Sequence, residues 1–424
     1  MNRVCHYRDG VLWLDDFRAR DLAQQFQTPL YVYSEQTIID RWLRFADAWP
    51  APHRICYAVK ANSHIAILQL MARLGAGFDI VSQGELERVL AAGAEPATVV
   101  FSGVAKSAEE IRRALSVGIG CFNVESQQEL QRIEAIASDM GKVANVSIRI
   151  NPNVDAGTHP YISTGLKTNK FGIDYELADA VFDYAAQSPT LNLQGIDCHI
   201  GSQITEPAPF LDAAKRMFAW VDKLAKRGIA ISHLDLGGGF GVPYHDEAAF
   251  PTAEYLQGLL GLAKDYPQLT LMLEPGRSLV AEAGVLLTRV EYVKHSTEKR
   301  FAIVDAGMND LLRPALYQAY HAILPEREEQ QLGQVTDIVG PVCETGDFLA
   351  HARHLAVAPG DLIAVANAGA YGMSMSSNYN SRRRPAEVLL QGQQAKLITA
   401  REQYSQLWQR EQLVYTMQSD EGEA

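Results

Sequence analysis

Short apolar runs recur from residue 53 to residue 276, at 53–60, 78–81, 99–102, 121–125, 146–151, 195–200, 232–236 and 270–274. Each has the length of a strand. Between them the apolar residues return with a helical period, as in Glu85 to Ala92, Glu109 to Val117 and Phe210 to Lys226. Three helix starts are marked by Ser82/Glu85, Ser107/Glu110 and Ser126/Glu129. This is capping-box spacing, in which the hydroxyl and the acid three residues on satisfy free backbone N–H groups. Gly93, Gly118, Gly141 and Gly228 stand where helix-ending glycines stand. Eight strands alternating with helices predict a parallel α/β architecture. Doubly wound sheets share that alternation, but the number of strands and a span near the roughly 250 residues of a (β/α)8 TIM-type barrel favour the barrel.

The pattern changes after residue 283. Gly284 to Val293, Phe301 to Asp305, Asp337 to Val339 and Leu362 to Ala366 read as strands separated by turns, with few helices. Val11 to Leu14 and Leu30 to Tyr33 also read as strands. The expectation is a barrel over 36–282 and a second, mostly β domain built from both chain ends, 1–35 plus 283–424.

With 424 residues the chain is long enough for two full cores. It carries 38 basic and 50 acidic residues, a net charge of −12, which disfavours binding to nucleic acid or to an anionic membrane. The basic cluster Arg382–Arg384 is too short to reverse this. No apolar run is long enough to span a bilayer, and Arg3, His6, Arg8 and Asp9 do not suit a secretory leader, so a cytoplasmic protein is expected. Cys5, Cys56, Cys121, Cys198 and Cys343 form no C-x-x-C pair and no zinc-ligand spacing, so no metal is expected. Cys56, Cys121 and Cys198 lie in apolar runs and suit a core.

The strand ends hold the candidate chemistry, because a barrel places its active site there. The first ends Tyr57-Ala58-Val59-Lys60-Ala61-Asn62. Lys60 could form a Schiff base with a carbonyl, or simply face solvent. The sixth run leads into His199-Ile200-Gly201-Ser202-Gln203 and the seventh into Gly237-Gly238-Gly239. A glycine run after a strand can cradle a phosphate or make a tight turn. The eighth ends Glu274-Pro275-Gly276-Arg277, which adds a carboxylate and a guanidinium at the same mouth. A reactive lysine, a phosphate cradle, an imidazole and a carboxylate at one rim are the parts needed to use pyridoxal 5'-phosphate (PLP).

Those motifs, with Gly77-Phe78-Asp79-Ile80-Val81-Ser82, Asp305-Ala306-Gly307-Met308-Asn309-Asp310, Arg313-Pro314-Ala315-Leu316-Tyr317, Cys343-Glu344-Thr345-Gly346-Asp347 and Gly369-Ala370-Tyr371-Gly372, occur in one order over nearly the whole chain. In this the sequence resembles the diaminopimelate decarboxylase family, within the barrel-type PLP enzymes that include alanine racemase and eukaryotic ornithine decarboxylase. The resemblance implies decarboxylation of meso-2,6-diaminopimelate to L-lysine and CO2, the last step of lysine biosynthesis, by a homodimer that shares its active sites. It implies that Lys60 holds PLP covalently and that His199 stacks on the ring. Asp79 is implied as a further cofactor-binding residue, and Glu274 as the partner of the pyridine nitrogen. Ser202, the amides of Gly237, Gly238 and Gly239, the backbone at Gly276 and Arg277, and the Tyr371 hydroxyl are implied for the phosphate. Arg277, Arg313 and Tyr317, with Tyr371, are implied for the substrate carboxylate that stays. Glu344 is implied for the distal ammonium and Cys343 for the returning proton, both from the second subunit.

Two rivals stand beside this. One is a related decarboxylase of ornithine, arginine, a D-amino acid or a carboxyspermidine. Glu344 after Cys343 and the pair Arg277/Arg313 weigh against it, since ornithine enzymes tend to carry Asp there and ornithine has no distal carboxylate. The other is a silent PLP-binding relative, disfavoured because the lysine, the cysteine and the glycine run are all present. The connection 155–172 after the fifth strand is long enough to be functional and could order the mouth, or could be a solvated loop, with no chemistry assigned to Lys167 or Lys170.

Overall fold

The computed structural model describes residues 4–154, 170–328 and 333–415. Eight strands close into a barrel: Arg54–Ala58 (β1), Gly77–Ile80 (β2), Val99–Phe101 (β3), Cys121–Val124 (β4), Ala144–Asn151 (β5), Leu191–Asp197 (β6), His233–Asp235 (β7) and Thr270–Leu273 (β8). Every neighbouring pair is parallel, and β8 pairs with β1 to close the ring. The eight runs read from the sequence all became strands.

Alternation along each strand explains the core. Ile55, Tyr57, Phe78, Ile80, Val99, Phe101, Phe122, Val124, Ile148, Leu234 and Leu273 belong to one large apolar cluster that also takes in the helix faces. The residues between them point the other way, into the barrel. Low in the barrel these are Cys56, Val100, Cys121 and Met272, which form an apolar cluster of their own. Gly195 leaves room there for the His233 ring, which would lie 2.2 Å from a Cβ at that position. Toward the C-terminal ends the inward residues turn polar: Asp79, Asn123, Arg149, Asp197, Asp235 and, just past β8, Glu274, all buried.

The helices match their expected starts with one refinement. Ser82, Ser107 and Ser126 each accept a hydrogen bond from the backbone N–H three residues on. Only Ser107/Glu110 closes the reciprocal half of the box. Glu85 instead accepts from the Val81 amide and Glu129 from the Glu125 amide, one residue further back. Glu129 also binds the buried Lys106 ammonium at 2.6 Å, which fixes where its carboxylate can reach.

Outside the barrel, Gly284–His295 is the spine of a second sheet. It pairs with Leu30–Ser34, with Leu362–Val365 and with Arg300–Val304. Ala386–Gln391 adds beside Leu30–Ser34, so strands from both ends of the chain share this sheet. Cys5–Arg8, Val11–Leu14 and Phe17–Arg18 make a small sheet of their own. The chain is thus a (β/α)8 barrel with a mostly β second unit. No helix among the described residues is long and apolar enough to cross a membrane.

Candidate active site

Lys60 sits on the single turn Val59–Ala61 that follows β1. Its ammonium lies 2.5 Å from Oδ2 of Asp79, which is fully buried on β2. Burial alone would lower the Lys60 pKa, but the charges of Asp79 and then Glu274 outweigh it and raise it. The mouth is crowded with acids. Glu274 is pushed well above the usual carboxylate range by burial first, then by Asp235, Asp79 and Asp197, with Lys60 opposing. Asp197 rises by burial and the charge of Asp235, and Asp235 rises chiefly by burial. Arg149 lies among these acids, 2.6 Å from Glu125 and 3.7 Å from Asp197.

His199 follows β6. Its Nδ1 accepts the Gly238 amide at 3.2 Å, and the ring is held neutral, its pKa well below 6.5, by burial and then by Arg149 and Lys60. The Gly237 amide donates to Asp235 Oδ1 at 3.0 Å. Two of the three glycine amides therefore already serve the protein, and among the described residues no partner is shown for the Gly239 amide. Gly239 adopts φ +104°, and a Cβ there would lie 2.0 Å from the Gly201 carbonyl oxygen. The run of glycines is required by this close approach of two backbones.

Past β8, Arg277 is buried and donates from Nη2 to Ser202 Oγ at 2.9 Å and from Nη1 to the Tyr244 hydroxyl at 3.1 Å. Its guanidinium lies 4.8 Å from the centre of the Tyr371 ring. Tyr371, in turn, is tied to the Lys60 turn by its amide, which donates to the Ala61 carbonyl at 2.8 Å. Arg313 lies 4.3 Å from the Tyr244 ring centre and 2.8 Å from His321 Nε2. Tyr317 ends the same short helix, Arg313–Tyr317.

Lys60, Asp79, His199, Ser202, Gly237–Gly239, Glu274, Gly276, Arg277, Arg313, Tyr317 and Tyr371 thus form one connected neighbourhood. Cys343 and Glu344 stand apart from it. Both are exposed; the Cys343 amide donates to Asn380 Oδ1 at 2.7 Å and Glu344 pairs with the Tyr379 hydroxyl. The loop that carries them is pinned by buried Asp347, whose carboxylate accepts from the amides of Met308 and Val342.

The sequence reading gave no role to Asn123, Arg149, Asp197, Asp235, Tyr244 or His321. The first four carry a readable signal: a polar residue at an inward position near the end of an otherwise apolar strand. Tyr244 and His321 lie outside helices and strands and carry none. Of the 155–172 connection, 155–169, including Lys167, lie outside the described residues. Its last residues are tied down, with the Gly172 amide donating to Glu125 Oε2 at 2.7 Å and Arg149 5.1 Å from the Phe171 ring centre.

Residues 35–281 match the family model described as pyridoxal-dependent decarboxylase, pyridoxal binding domain. The diaminopimelate decarboxylase of Pseudomonas aeruginosa is 55% identical over 96% of this chain and 98% of its own length. That of Vibrio cholerae is 53% identical over 98% of this chain and all of its own. The chain belongs to the diaminopimelate decarboxylase family. A solved structure in this family, the Helicobacter pylori diaminopimelate decarboxylase complexed with L-lysine, superposes with TM-score 0.89 at 45% identity, covering 92% of this chain and 98% of that one.

The cofactor of these decarboxylases is PLP, and the residues present fit it. Among the described residues, Asp79 Oδ1 and Asp197 Oδ1 are buried with no hydrogen-bond partner. Acids outnumber the cations Lys60 and Arg149 around them. Such a cluster suits an added positive group, as a protonated pyridine is. The Gly239, Gly276 and Arg277 amides, without protein partners among the described residues, suit its phosphate.

Proposed function

We propose that this chain decarboxylates meso-2,6-diaminopimelate to L-lysine and CO2, the closing step of lysine biosynthesis, as a cytoplasmic homodimer with shared active sites. One observation carries the substrate: two buried guanidinium groups, Arg277 and Arg313, lie beside the Lys60 site with no carboxylate partner among the described residues. Buried charge is costly unless paired, so a site of this kind selects an anion. A second carboxylate is what diaminopimelate has and ornithine, arginine and lysine-like amines lack.

When bound, PLP supplies an electron sink for the bond that releases CO2. Lys60 would hold it covalently through its amine, with Asp79 beside that amine. His199 offers a neutral flat face. Glu274 would keep a proton on the pyridine nitrogen. Ser202, the Gly239 amide, the backbone at Gly276 and Arg277, and Tyr371 would hold the phosphate. Arg277, Arg313 and Tyr317 grip the carboxylate that stays and so aim the other one. Cys343 of the partner subunit returns a proton to the carbon that lost CO2, and Glu344 of the partner subunit takes the distal ammonium. Exposure of both residues, away from their own Lys60, supports that division of labour. We assign 36–282 to the barrel and 1–35 plus 283–424 to the β unit. Pairing of Leu30–Ser34 with Gly284–His295 supports this division.

The test is CO2 release and product identity from the PLP-loaded protein given meso-diaminopimelate, ornithine, arginine or D-lysine. Lysine formed from diaminopimelate far faster than any other product is expected. Turnover of only one of the others overturns the substrate, and no turnover of any overturns the enzyme reading.

A further inference from the structure

Arg277 and Arg313 are both held by Tyr244, and His321 adds a hydrogen bond with Arg313. Tyr244 accepts a hydrogen bond from Arg277 Nη1 at 3.1 Å and lays its ring 4.3 Å from the Arg313 guanidinium. His321 is fully buried and packs edge-on against Tyr244, ring centres 5.3 Å apart. Its Nδ1 lies 2.8 Å from the Ala366 carbonyl oxygen and its Nε2 2.8 Å from Arg313 Nη1. A carbonyl can only accept, so Nδ1 carries the proton and Nε2 accepts from Arg313. Burial, with the charge of Arg313, lowers the His321 pKa to about 3, so the ring stays neutral. Both arginines are thereby oriented by neutral acceptors. A carboxylate in place of either would orient them as well but would cancel the charge that the substrate must meet.

We propose that Tyr244 and His321 are positioning residues that fix the arginine pair without neutralising it, and so set selectivity for an amino acid with a second carboxylate. This rests on the reading of Arg277 and Arg313 as the clamp for that carboxylate.

The experiment compares two competitive inhibitors of the PLP-loaded enzyme, L-lysine and 1,5-diaminopentane. They differ only in the carboxylate. Tyr244→Phe and His321→Leu should each weaken L-lysine about tenfold or more, the scale of a lost hydrogen bond to a charged group, and leave diaminopentane unchanged. His321→Gln, which can accept from Arg313 and donate to Ala366, should recover most of the loss. Equal weakening of both inhibitors, or of neither, overturns the proposal. If His321→Leu fails to load PLP, Tyr244→Phe and His321→Gln decide it by the same readout. Arg313→Met separates the two layers. If it lowers L-lysine affinity selectively while Tyr244→Phe and His321→Leu do not, the clamp stands and the positioning role falls. If Arg313→Met leaves the ratio unchanged, the clamp itself is wrong.

Discussion

Lys60 Nζ, on the turn after β1, and Asp79 Oδ2, on the adjacent β2, face each other at 2.5 Å, and the acid has no exposure to solvent. The ammonium is held charged by this contact, whereas bond formation to an aldehyde needs the neutral amine. Asp79→Asn keeps the shape and removes the charge. The pH midpoint for covalent PLP loading of the apo-protein, followed by absorbance, should fall by about 1–3 units. An unchanged midpoint would show that Glu274 alone sets it.

The acids at the mouth give the apo-protein an unusual pH response. Asp197, Asp235 and Glu274 all have raised pKa values when folded. In the window between the ordinary carboxylate value near ~4 and those raised values, the native state binds more protons than the unfolded chain. Stability contributed by these groups is therefore present at the acidic end of that window and lost as pH rises through it. Thermal melts of apo-protein should show a falling midpoint from the acidic end toward neutrality, and Asp235→Asn should flatten the slope. A midpoint that rises with pH in both proteins would contradict this.

Two glycines at the mouth should respond very differently to a methyl group. Gly239→Ala places Cβ 2.0 Å from the Gly201 carbonyl oxygen at φ +104°. It should cost roughly 3 kcal/mol or more and abolish PLP retention. Gly276 has φ −124°, and a Cβ there meets its nearest atom at 3.0 Å. Gly276→Ala should cost about 1 kcal/mol, within the range for mild overpacking. Urea unfolding of the two variants tests the contrast.

Shared sites predict complementation. Lys60→Ala and Cys343→Ala homodimers should each be nearly inactive. Mixed dimers, formed by unfolding and refolding the two chains together, should regain part of the activity, because one of their two sites has both residues intact. No recovery in verified mixed dimers would place Cys343 and Lys60 in the same chain's site.

The barrel was legible because its strands carry apolar runs and several of its helices start at a serine cap. Lys60, His199, Glu274 and Arg277 were legible because they directly follow strands. The inward row from Asp79 to Asp235 was half visible. Asp79 was seen as part of a motif, but only the closed barrel shows that neighbouring strands aim it, Asn123, Arg149, Asp197 and Asp235 at one volume. Tyr244 and His321 were invisible, since a tyrosine and a histidine outside helices and strands have no periodicity and acquire meaning only from what they touch. Strands Phe348–Leu355 and Ala386–Gln391 were missed too; the first mixes two histidines and an arginine into an edge region, and its pairing is decided by its neighbour Gln334–Val339.

The hydrogen bond from Tyr33 to Glu387 joins positions 354 residues apart, within the sheet that carries both chain ends. A ribosome delivers Leu30–Ser34 long before Gly284–His295 and Ala386–Gln391 exist to pair with it. The barrel strands, contiguous in sequence, can associate while synthesis continues, whereas the first strand of the β sheet must wait until almost the last residue has emerged. A nascent chain halted before residue 386 therefore exposes one edge of Leu30–Ser34, an apolar strand that is wholly buried in the finished protein.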